Sequence, residues 1–249
     1  MLNAKQRVKV IERGYGRKTV GPRYVYRYVS AAVRRKHPVS VIRLGDVMAK
    51  LLARRNVRSL YYVSRFLGVK LPPSKKLQRD LEQAVKGANI VGVSHYKVSI
   101  TYLRAFMARS GWKPPRIADS FLNDQLYEKG YLHRLIRENR VALVGRASPD
   151  AARQLKRRGL KVVLTVGMDG YGEVNSVIRK LKRNKSRIDL VLVGASVPGR
   201  ILCTKLKQQA GLSAIEIGHM MDALSKPGDW AKPGSRKRFK HRWMRKLSK

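Results

Sequence analysis

Between residues 140 and 217, short apolar runs alternate with segments of helical periodicity, and this alternation limits the fold more than any other feature of the chain. The apolar runs predict strands, and the segments between them predict helices at 148–158, 173–183 and 197–209. Strands that alternate with helices pair in parallel, and helices cover both faces of such a sheet. The sequence therefore predicts an α/β fold, a Rossmann-like three-layer sandwich with a mostly parallel sheet.

The predicted domain organisation has three parts. Residues 1–37 form a basic N-terminal extension, 38–226 the α/β domain, and 227–249 a basic C-terminal tail. Within these parts the patterns predict further elements, namely strands at 39–44 and 89–93, helices at 24–36 and 74–86, and a helical stretch at 51–67.

Length and composition indicate a folded protein. The chain has 249 residues, of which 43% are hydrophobic, so it can bury a sizeable core. Cys203 is the only cysteine, which excludes an internal disulfide and a cysteine-based zinc site. The sequence shows neither a signal peptide nor a run of about 18 apolar residues. We expect a cytoplasmic protein without an integral membrane segment, and contact with the inner membrane surface stays open.

The charge is strongly positive. Lys and Arg number 56 against 15 Asp and Glu, a formal net charge of +41. Such a surface attracts polyanions at low salt. Three anionic partners fit: nucleic acid, the anionic face of a membrane, and anionic cell-surface glycans or their nucleotide-linked precursors. Phe239 and Trp243 among the tail charges suit base stacking or interfacial anchoring, and a merely solvated basic tail is the alternative.

The first predicted strand ends at Gly45-Asp46, which places a carboxylate at its carboxyl end. Ligands of open α/β sheets bind outside such strand ends, so Asp46 is a candidate metal ligand and catalytic carboxylate. A divalent cation needs several oxygen ligands, and Met48 occupies the next position that would face it. The alternative reading of Asp46 is the N-cap of the following helix.

Glycine-containing loops follow three later strands and are candidate phosphate sites. They contain Gly145-Arg146, Gly194 and Gly218-His219. Backbone amides at the start of a helix bind anions, and Arg146 adds a positive charge. The alternative is that each glycine only permits a tight turn.

Two segments carry a resemblance to a known family. The motif Arg43-Leu44-Gly45-Asp46, together with Glu216-Ile217-Gly218-His219, resembles the paired signatures of the GT-D fold glycosyltransferases. The similarity spans residues 39–224 and leaves both basic ends uncovered.

The resemblance implies transfer of a sugar from a nucleotide-sugar donor to an acceptor hydroxyl, with Mn²⁺ or Mg²⁺ at an Asp-x-Glu motif. It implies that Asp46 is the metal carboxylate and that His219 lines the crevice as a second catalytic residue. The residues expected to bind the nucleotide-sugar are Arg43, Gly45, Asn123, Gly145, Arg146, Gly194 and Gly218.

This chain departs from the family pattern at the metal motif. Met48 replaces the second carboxylate, Val47 replaces a glycine, and Glu216 replaces the aspartate of the terminal motif. Three outcomes stay open: Glu216 or Asp222 completes the site, Arg and Lys replace the charge of the metal, or catalysis is lost.

The sequence favours a glycosyltransferase acting on a cell-surface polymer or glycoconjugate. One alternative is a nucleic-acid-binding basic protein, with a helix-turn-helix starting near residue 59. Another is a transferase fold that survives only as a binding scaffold.

Overall fold

The computed structural model describes residues 2–248, so Met1 and Lys249, the outermost residues of the two predicted extensions, lie outside the described residues. Seven strands form one sheet in the order β3-β2-β1-β7-β6-β4-β5, and every pairing is parallel. The predicted α/β architecture is confirmed. The strands are β1 Ser40–Leu44, β2 Ile90–Val93, β3 Ile117–Asp119, β4 Val141–Gly145, β5 Val162–Val166, β6 Leu190–Gly194 and β7 Ser213–Glu216.

Helices connect the strands and flank the sheet. The α-helices are α1 Ala4–Tyr15, α2 Pro22–Arg34, α3 Asp46–Ala53, α4 Ser64–Leu67, α5 Lys75–Gly87, α6 Lys97–Ser110, α7 Leu122–Glu128, α8 Tyr131–Glu138, α9 Ser148–Arg157, α10 Val174–Arg183, α11 Ser196–Lys205, α12 Met220–Ser225, α13 Pro227–Ala231 and α14 Ser235–Ser248.

The strands divide the apolar core into two layers because successive side chains point to opposite faces. In β1, Ile42 and Leu44 belong to one hydrophobic cluster, and Val41 belongs to the other. Helices α3, α5, α6, α10 and α11 cover the first face, and α2, α7, α8, α9 and α12 cover the second. The strands other than β5 are therefore buried on both sides, which explains the near-continuous apolar runs in the sequence, whereas β5 lies at the sheet edge and its three central residues are half-buried.

The basic N-terminal residues fold onto the domain. Helix α1 begins with a capping box between Asn3 and Gln6, and its residue Ile11 is fully buried in the first layer. Helix α2 buries Val25 and Val29 in the second layer. The N-terminal segment thus contributes to both layers of the core although its surface is strongly basic.

The predicted helical stretch at 51–67 is not continuous. Helix α3 ends at Ala53, a 3₁₀ helix follows at Val57–Val63, and α4 is a single turn. Arg54 and Asn56 adopt left-handed backbone conformations, which stop α3. The helix-turn-helix predicted to start near residue 59 lacks a first helix of ordinary length, because only the 3₁₀ helix and the single turn α4 precede α5.

None of the helices formed by residues 2–248 combines the length and the apolar character needed to cross a bilayer.

The packing of α1 leads to a stability prediction. Ile11→Ala should lower the free energy of unfolding by about 2–5 kcal/mol, because it leaves a cavity in the core. Urea denaturation of the whole chain measures the effect. Leu2→Ala is the control, since Leu2 is exposed, and it should change stability by less than about 0.5 kcal/mol. Equal effects of the two substitutions would contradict the packing of α1 against the domain.

Candidate active site

A crevice forms where the carboxyl ends of β1 and β7 lie side by side. The two strands pair in parallel, and their following helices leave on opposite faces of the sheet, α3 on the first and α12 on the second. This divergence opens a crevice at the strand ends, which is where parallel α/β proteins bind ligands. It brings the Asp46 and His219 corners to the same edge.

A buried ion pair joins the two corners. Arg43 of β1 donates from Nε to Glu216 Oε2 at 2.8 Å and from Nη2 to Glu216 Oε1 at 3.0 Å. Its third nitrogen donates to the Ser120 carbonyl and to Asn123 Oδ1. Arg200 of α11 adds a second cation, with its Nη2 3.6 Å from Glu216 Oε1 and its Nε donating to the Arg43 carbonyl.

The charges in this cluster keep Glu216 ionised. Burial alone would raise the pKa of this carboxyl group, but Arg200 and Arg43 outweigh burial and hold the pKa below its ordinary value. Both oxygens of Glu216 are occupied by arginine, and the side chain is fully buried. Glu216 therefore offsets part of the positive charge of the two guanidinium groups under the crevice floor.

Gly218 is needed for this contact. A Cβ atom at residue 218 would lie 2.2 Å from Arg43 Nη2 and 3.0 Å from Glu216 Oε1, and the backbone has φ +51°. Any side chain at residue 218 would displace the ion pair. Gly218 of the second motif is therefore required for the contact that Arg43 of the first motif makes with Glu216.

Two cavities meet at the crevice floor. The first has a volume of about 250 Å³ and lies over the ends of β1, β7, β6, β4 and β5. The second has a volume of about 630 Å³ and lies over the ends of β1, β2 and β3, beside the start of α6. The residues that line both are Arg43, Gly45, Asp46, Arg200 and His219.

Asp46 stands at this junction. It is exposed and is the first residue of α3. The N-cap is Gly45, so the alternative prediction of Asp46 as the N-cap is wrong. The carboxylate of Asp46 makes no hydrogen bond or ion pair with any residue between 2 and 248. A carboxylate with free oxygens between two cavities is available to a ligand in either one.

His219 is held in one orientation by an acid that the sequence reading did not identify. Its Nε2 lies 3.0 Å from Asp124 Oδ1, and its ring stacks on Trp230 at a centroid distance of 5.4 Å. Burial lowers the pKa of His219 more than Asp124 raises it, which favours the neutral ring. Although burial of Asp124 acts in the opposite direction, His219, Arg236 and Arg43 lower its pKa to about 2. The ionised Asp124 therefore accepts from Nε2–H, and Nδ1 is left as an acceptor.

Of the residues predicted to bind the nucleotide-sugar, Arg43, Gly45, Arg146, Gly194 and Gly218 line the first cavity. Arg43 also joins β1 to β7 through its ion pair with Glu216. The expected binding roles of this set stay predictions.

Asn123 and Gly145 lie outside the linings of both cavities. Asn123 donates to the Ile217 carbonyl and accepts from Arg43, so it supports the crevice from below. Gly145 has φ +137°, and a Cβ atom there would lie 2.4 Å from the Gly194 carbonyl oxygen. Its lack of a side chain permits close packing of β4 and β6.

At the rim of the first cavity, Arg146 forms hydrogen bonds with two other segments, at residues 65–66 and at residue 169. Its guanidinium donates to Asp169 Oδ1 at 2.9 Å and to the backbone carbonyls of Arg65, Phe66 and Asp169. These contacts explain the position of Arg146 without a bound anion.

The C-terminal helix α14 covers the crevice. Trp243 lines the first cavity and donates from Nε1 to Asp222 Oδ1 at 2.7 Å. Burial raises the pKa of Asp222 to about 6, although the Trp243 hydrogen bond opposes the shift. Arg236 lines the second cavity and pairs with Asp124 Oδ1. The predicted tail thus supplies one residue to each cavity.

The first and last helices, α1 and α14, each place an arginine on the same aromatic ring. The guanidinium of Arg7 lies 4.7 Å from the centroid of Phe121, and that of Arg236 lies 4.8 Å from it. Arg7 also pairs with Asp119 at 2.7 Å, at the end of β3. Because Phe121 lines the second cavity, α1 and α14 together shape that part of the site.

The residues at the crevice do not fit a metal centre supplied by the protein. Met48 is buried in the first core layer and lines the first cavity beside Asp46, but its thioether is a weak ligand for Mg²⁺ or Mn²⁺. Glu216 is occupied by arginines, and Asp222 accepts from Trp243. Within residues 2–248 no three or more acidic, histidine or cysteine side chains are grouped as a cation site. Asp46 is thus a lone carboxylate with at most two ligand oxygens, where a divalent cation needs six or more ligands.

Comparison with known proteins identifies the family. A model of the GT-D fold-like domain matches residues 20–224. The chain belongs to the GT-D-like family. The matched residues include both signature motifs and stop before α13 and α14. No curated protein matches this sequence.

Three solved structures share the GT-D fold of this chain. A selenomethionine-substituted domain of unknown function 1792 is 15% identical, with a TM-score of 0.56, covering 90% of this chain and 84% of that one. A domain of the same kind, described as having a distinct glycosyltransferase fold, is 16% identical with the same TM-score and coverage. A new glycosyltransferase of this kind from Streptococcus sanguinis is 15% identical, with a TM-score of 0.54, covering 81% of this chain and 82% of that one.

The ion pair leads to a prediction. Glu216→Gln should lower the free energy of unfolding by about 3–5 kcal/mol, because Arg43 and Arg200 would stay buried without a counter-charge. Urea denaturation measures the loss. Asp150→Asn, which alters the exposed pair with Arg153, is the matched control and should cost less than about 1 kcal/mol. A Glu216→Gln protein as stable as this control would show that the pair does not hold the two corners together.

Proposed function

We propose that this protein is a glycosyltransferase, which moves a sugar from a nucleotide-sugar donor to a hydroxyl of a cell-surface polymer or glycoconjugate. The GT-D fold and the glycosyltransferase described among its structural neighbours support this reaction class. Two substrates must meet in such a reaction, and each needs its own binding space.

The meeting of two cavities at one carboxylate is the observation that carries the proposal. The first and second cavities share a floor that includes Asp46 and His219, and they diverge from it. Substrates bound in the two cavities would bring their reacting groups together at that floor. Holding both reactants in place removes much of the entropic barrier to transfer.

Asp46 acts on the acceptor hydroxyl in this proposal. Its carboxylate is exposed at the junction and forms no hydrogen bond or ion pair within residues 2–248. It can therefore accept the hydroxyl proton as that oxygen attacks the sugar carbon. General-base assistance of this kind contributes about 10²–10⁴-fold to a rate.

His219 positions the reacting sugar. Because Asp124 fixes Nε2–H, the Nδ1 atom is an acceptor for a sugar hydroxyl, and the stacked Trp230 prevents rotation of the ring. Neutral imidazole at neutral pH is the form that this hydrogen bond requires.

Cationic side chains stabilise the negative charge of the leaving diphosphate. Lys50, Arg200 and Arg236 line the second cavity around Asp46, and preorganised cations stabilise a developing phosphate charge without a metal ion. We propose side-chain cations instead of a metal ion because the ligand set at Asp46 does not fit a divalent cation held by the protein.

We further propose that the protein works in the cytoplasm, at the inner membrane surface where glycan precursors are assembled. The basic face of α14 supports this placement. Its exposed cations include Lys237, Arg238, Lys240 and Arg245, and the helix contains no acidic residue.

Loss of the Asp46 carboxylate should abolish transfer. A screen of nucleotide-sugars by nucleotide release should find at least one donor, and Asp46→Asn or Asp46→Ala should reduce release by at least about 100-fold. Asp150→Asn, a carboxylate change outside the crevice, should retain full activity. If Asp46→Asn releases nucleotide as fast as the wild type, Asp46 has no part in the reaction.

Divalent cations should have little effect on the rate. Transfer in the presence of EDTA should stay within about twofold of the rate with added Mn²⁺, because cationic side chains provide the charge stabilisation. Initial rates with EDTA, Mg²⁺ and Mn²⁺ test this. A loss of more than about tenfold in EDTA that Mn²⁺ restores would show that substrate phosphates complete a cation site with Asp46.

A further inference from the structure

Five large apolar side chains line the first cavity, and they come from five separate segments. Met48 of α3, Met168 of the loop after β5 and Met221 of α12 are each at most 2% exposed. Phe66 of α4 and Trp243 of α14 add two aromatic rings. We call these five residues the apolar wall. Methionine side chains adapt to apolar groups of irregular shape, so the wall is suited to contact with hydrocarbon.

The charged groups around the first cavity are engaged by the protein itself. Among residues 2–248, every titratable side chain that lines this cavity, apart from Asp46, has a polar partner. The pairs are Arg43 and Arg200 with Glu216, Arg146 with Asp169, His219 with Asp124, and Asp222 with Trp243. An anion in this cavity would have to compete for cations that are already paired, whereas an apolar group loses no hydrogen bond on entering it.

The position of Asp46 assigns the first cavity to the acceptor. The proposed function places the leaving diphosphate in the second cavity, which Lys50 and Arg236 line. The acceptor then brings its hydroxyl to Asp46 from the first cavity. The part of the acceptor next to that hydroxyl therefore lies against the apolar wall.

Helix α14 covers the apolar wall and has a strongly basic outer face. Its residue Phe239 is 4% exposed, and Trp243 lines the first cavity. The outer face carries the exposed cations Lys237, Arg238 and Lys240. An anionic membrane surface attracts such a face. The apolar wall thus lies beneath a helix whose charge is complementary to a bilayer surface, which is where molecules with hydrocarbon chains reside.

We propose that the first cavity holds the hydrocarbon chain of the acceptor, which makes the acceptor a lipid-linked saccharide. The inference rests on the proposed function for the presence of an accepting hydroxyl. The chain has two sources, an isoprenoid carrier or the straight chain of an acyl lipid. In either case burial of the chain against the apolar wall supplies affinity and places the hydroxyl at Asp46.

Alkyl glucosides test the cavity without catalysis. In isothermal titrations below the micelle-forming concentration, hexyl glucoside should bind the wild type at least about tenfold more tightly than methyl glucoside, because its additional methylene groups leave water. Phe66→Gln should reduce this preference to less than about threefold, since it places an amide in the apolar wall. Trp243→Gln should act in the same direction while it keeps a hydrogen-bond donor for Asp222.

Tyr62→Gln is the matched control for loss of an aromatic ring. Tyr62 belongs to the neighbouring 3₁₀ helix, is 75% exposed and lines neither cavity, so this variant should keep the full preference. The proposal is overturned if the wild type does not prefer hexyl glucoside, if both wall variants keep the preference, or if Tyr62→Gln loses it equally. A loss of UDP affinity in Phe66→Gln with unchanged chain preference would assign the cavity to the base of the nucleotide and would also overturn the proposal.

Geranyl and octyl glucosides distinguish the two sources of the chain. Tighter binding of the branched geranyl chain assigns it to an isoprenoid carrier, and tighter binding of the octyl chain assigns it to an acyl lipid. Chain-dependent binding without sugar transfer from any donor would refute only the proposed function. Transfer to a free sugar with the same KM as to its hexyl glycoside would refute only the lipid-linked acceptor.

Discussion

The architecture of the crevice depends on the buried ion pair between Arg43 and Glu216. The arginine lies on the first strand and the glutamate on the last, so the contact joins segments 173 residues apart in the sequence. It places the Gly45-Asp46 turn beside the Gly218-His219 turn and leaves the carboxylate of Asp46 free. Arg200 adds a second cation without adding another acid, so the region under the floor carries net positive charge. The cluster that supports the site thus also makes it attractive to phosphate.

The fold could be predicted from the sequence where local pattern and tertiary structure agree. Strands β4 and β6 are buried on both faces, so the apolar runs mark them directly. The prediction of a continuous helical stretch at 51–67 was wrong because residues with left-handed backbone conformations divide it. Apolar periodicity carries no information on such conformations. The sequence does not clearly indicate helix α6, because its apolar residues do not define one face of the helix. The contribution of α1 to the core was hidden by its charges, among which Ile11 is a single inward-facing residue.

The site was predictable where it lies directly after a strand. Parallel strands place Asp46 and His219 at one edge of the sheet, and this follows from the βα alternation. The pairing of β1 with β7, which makes the two residues neighbours, does not follow from it. Asp124 and Arg200 lie on helices, and their partners are distant in the chain, so no local pattern predicts their contacts. The sequence shows an aromatic residue, Trp243, among the tail charges, but its contact with Asp222 depends on how α14 folds back over the crevice.

The shared contact of Arg7 and Arg236 with Phe121 has a practical consequence for work on this enzyme. A change that disturbs the start of α1 or the start of α14 would alter the wall of the second cavity. Trimming the basic ends to improve solubility would remove part of the cavity wall, although the family match covers neither end. Activity measured on a shortened protein would therefore describe a different binding surface, and an internal loop far from the crevice is a better place for a label.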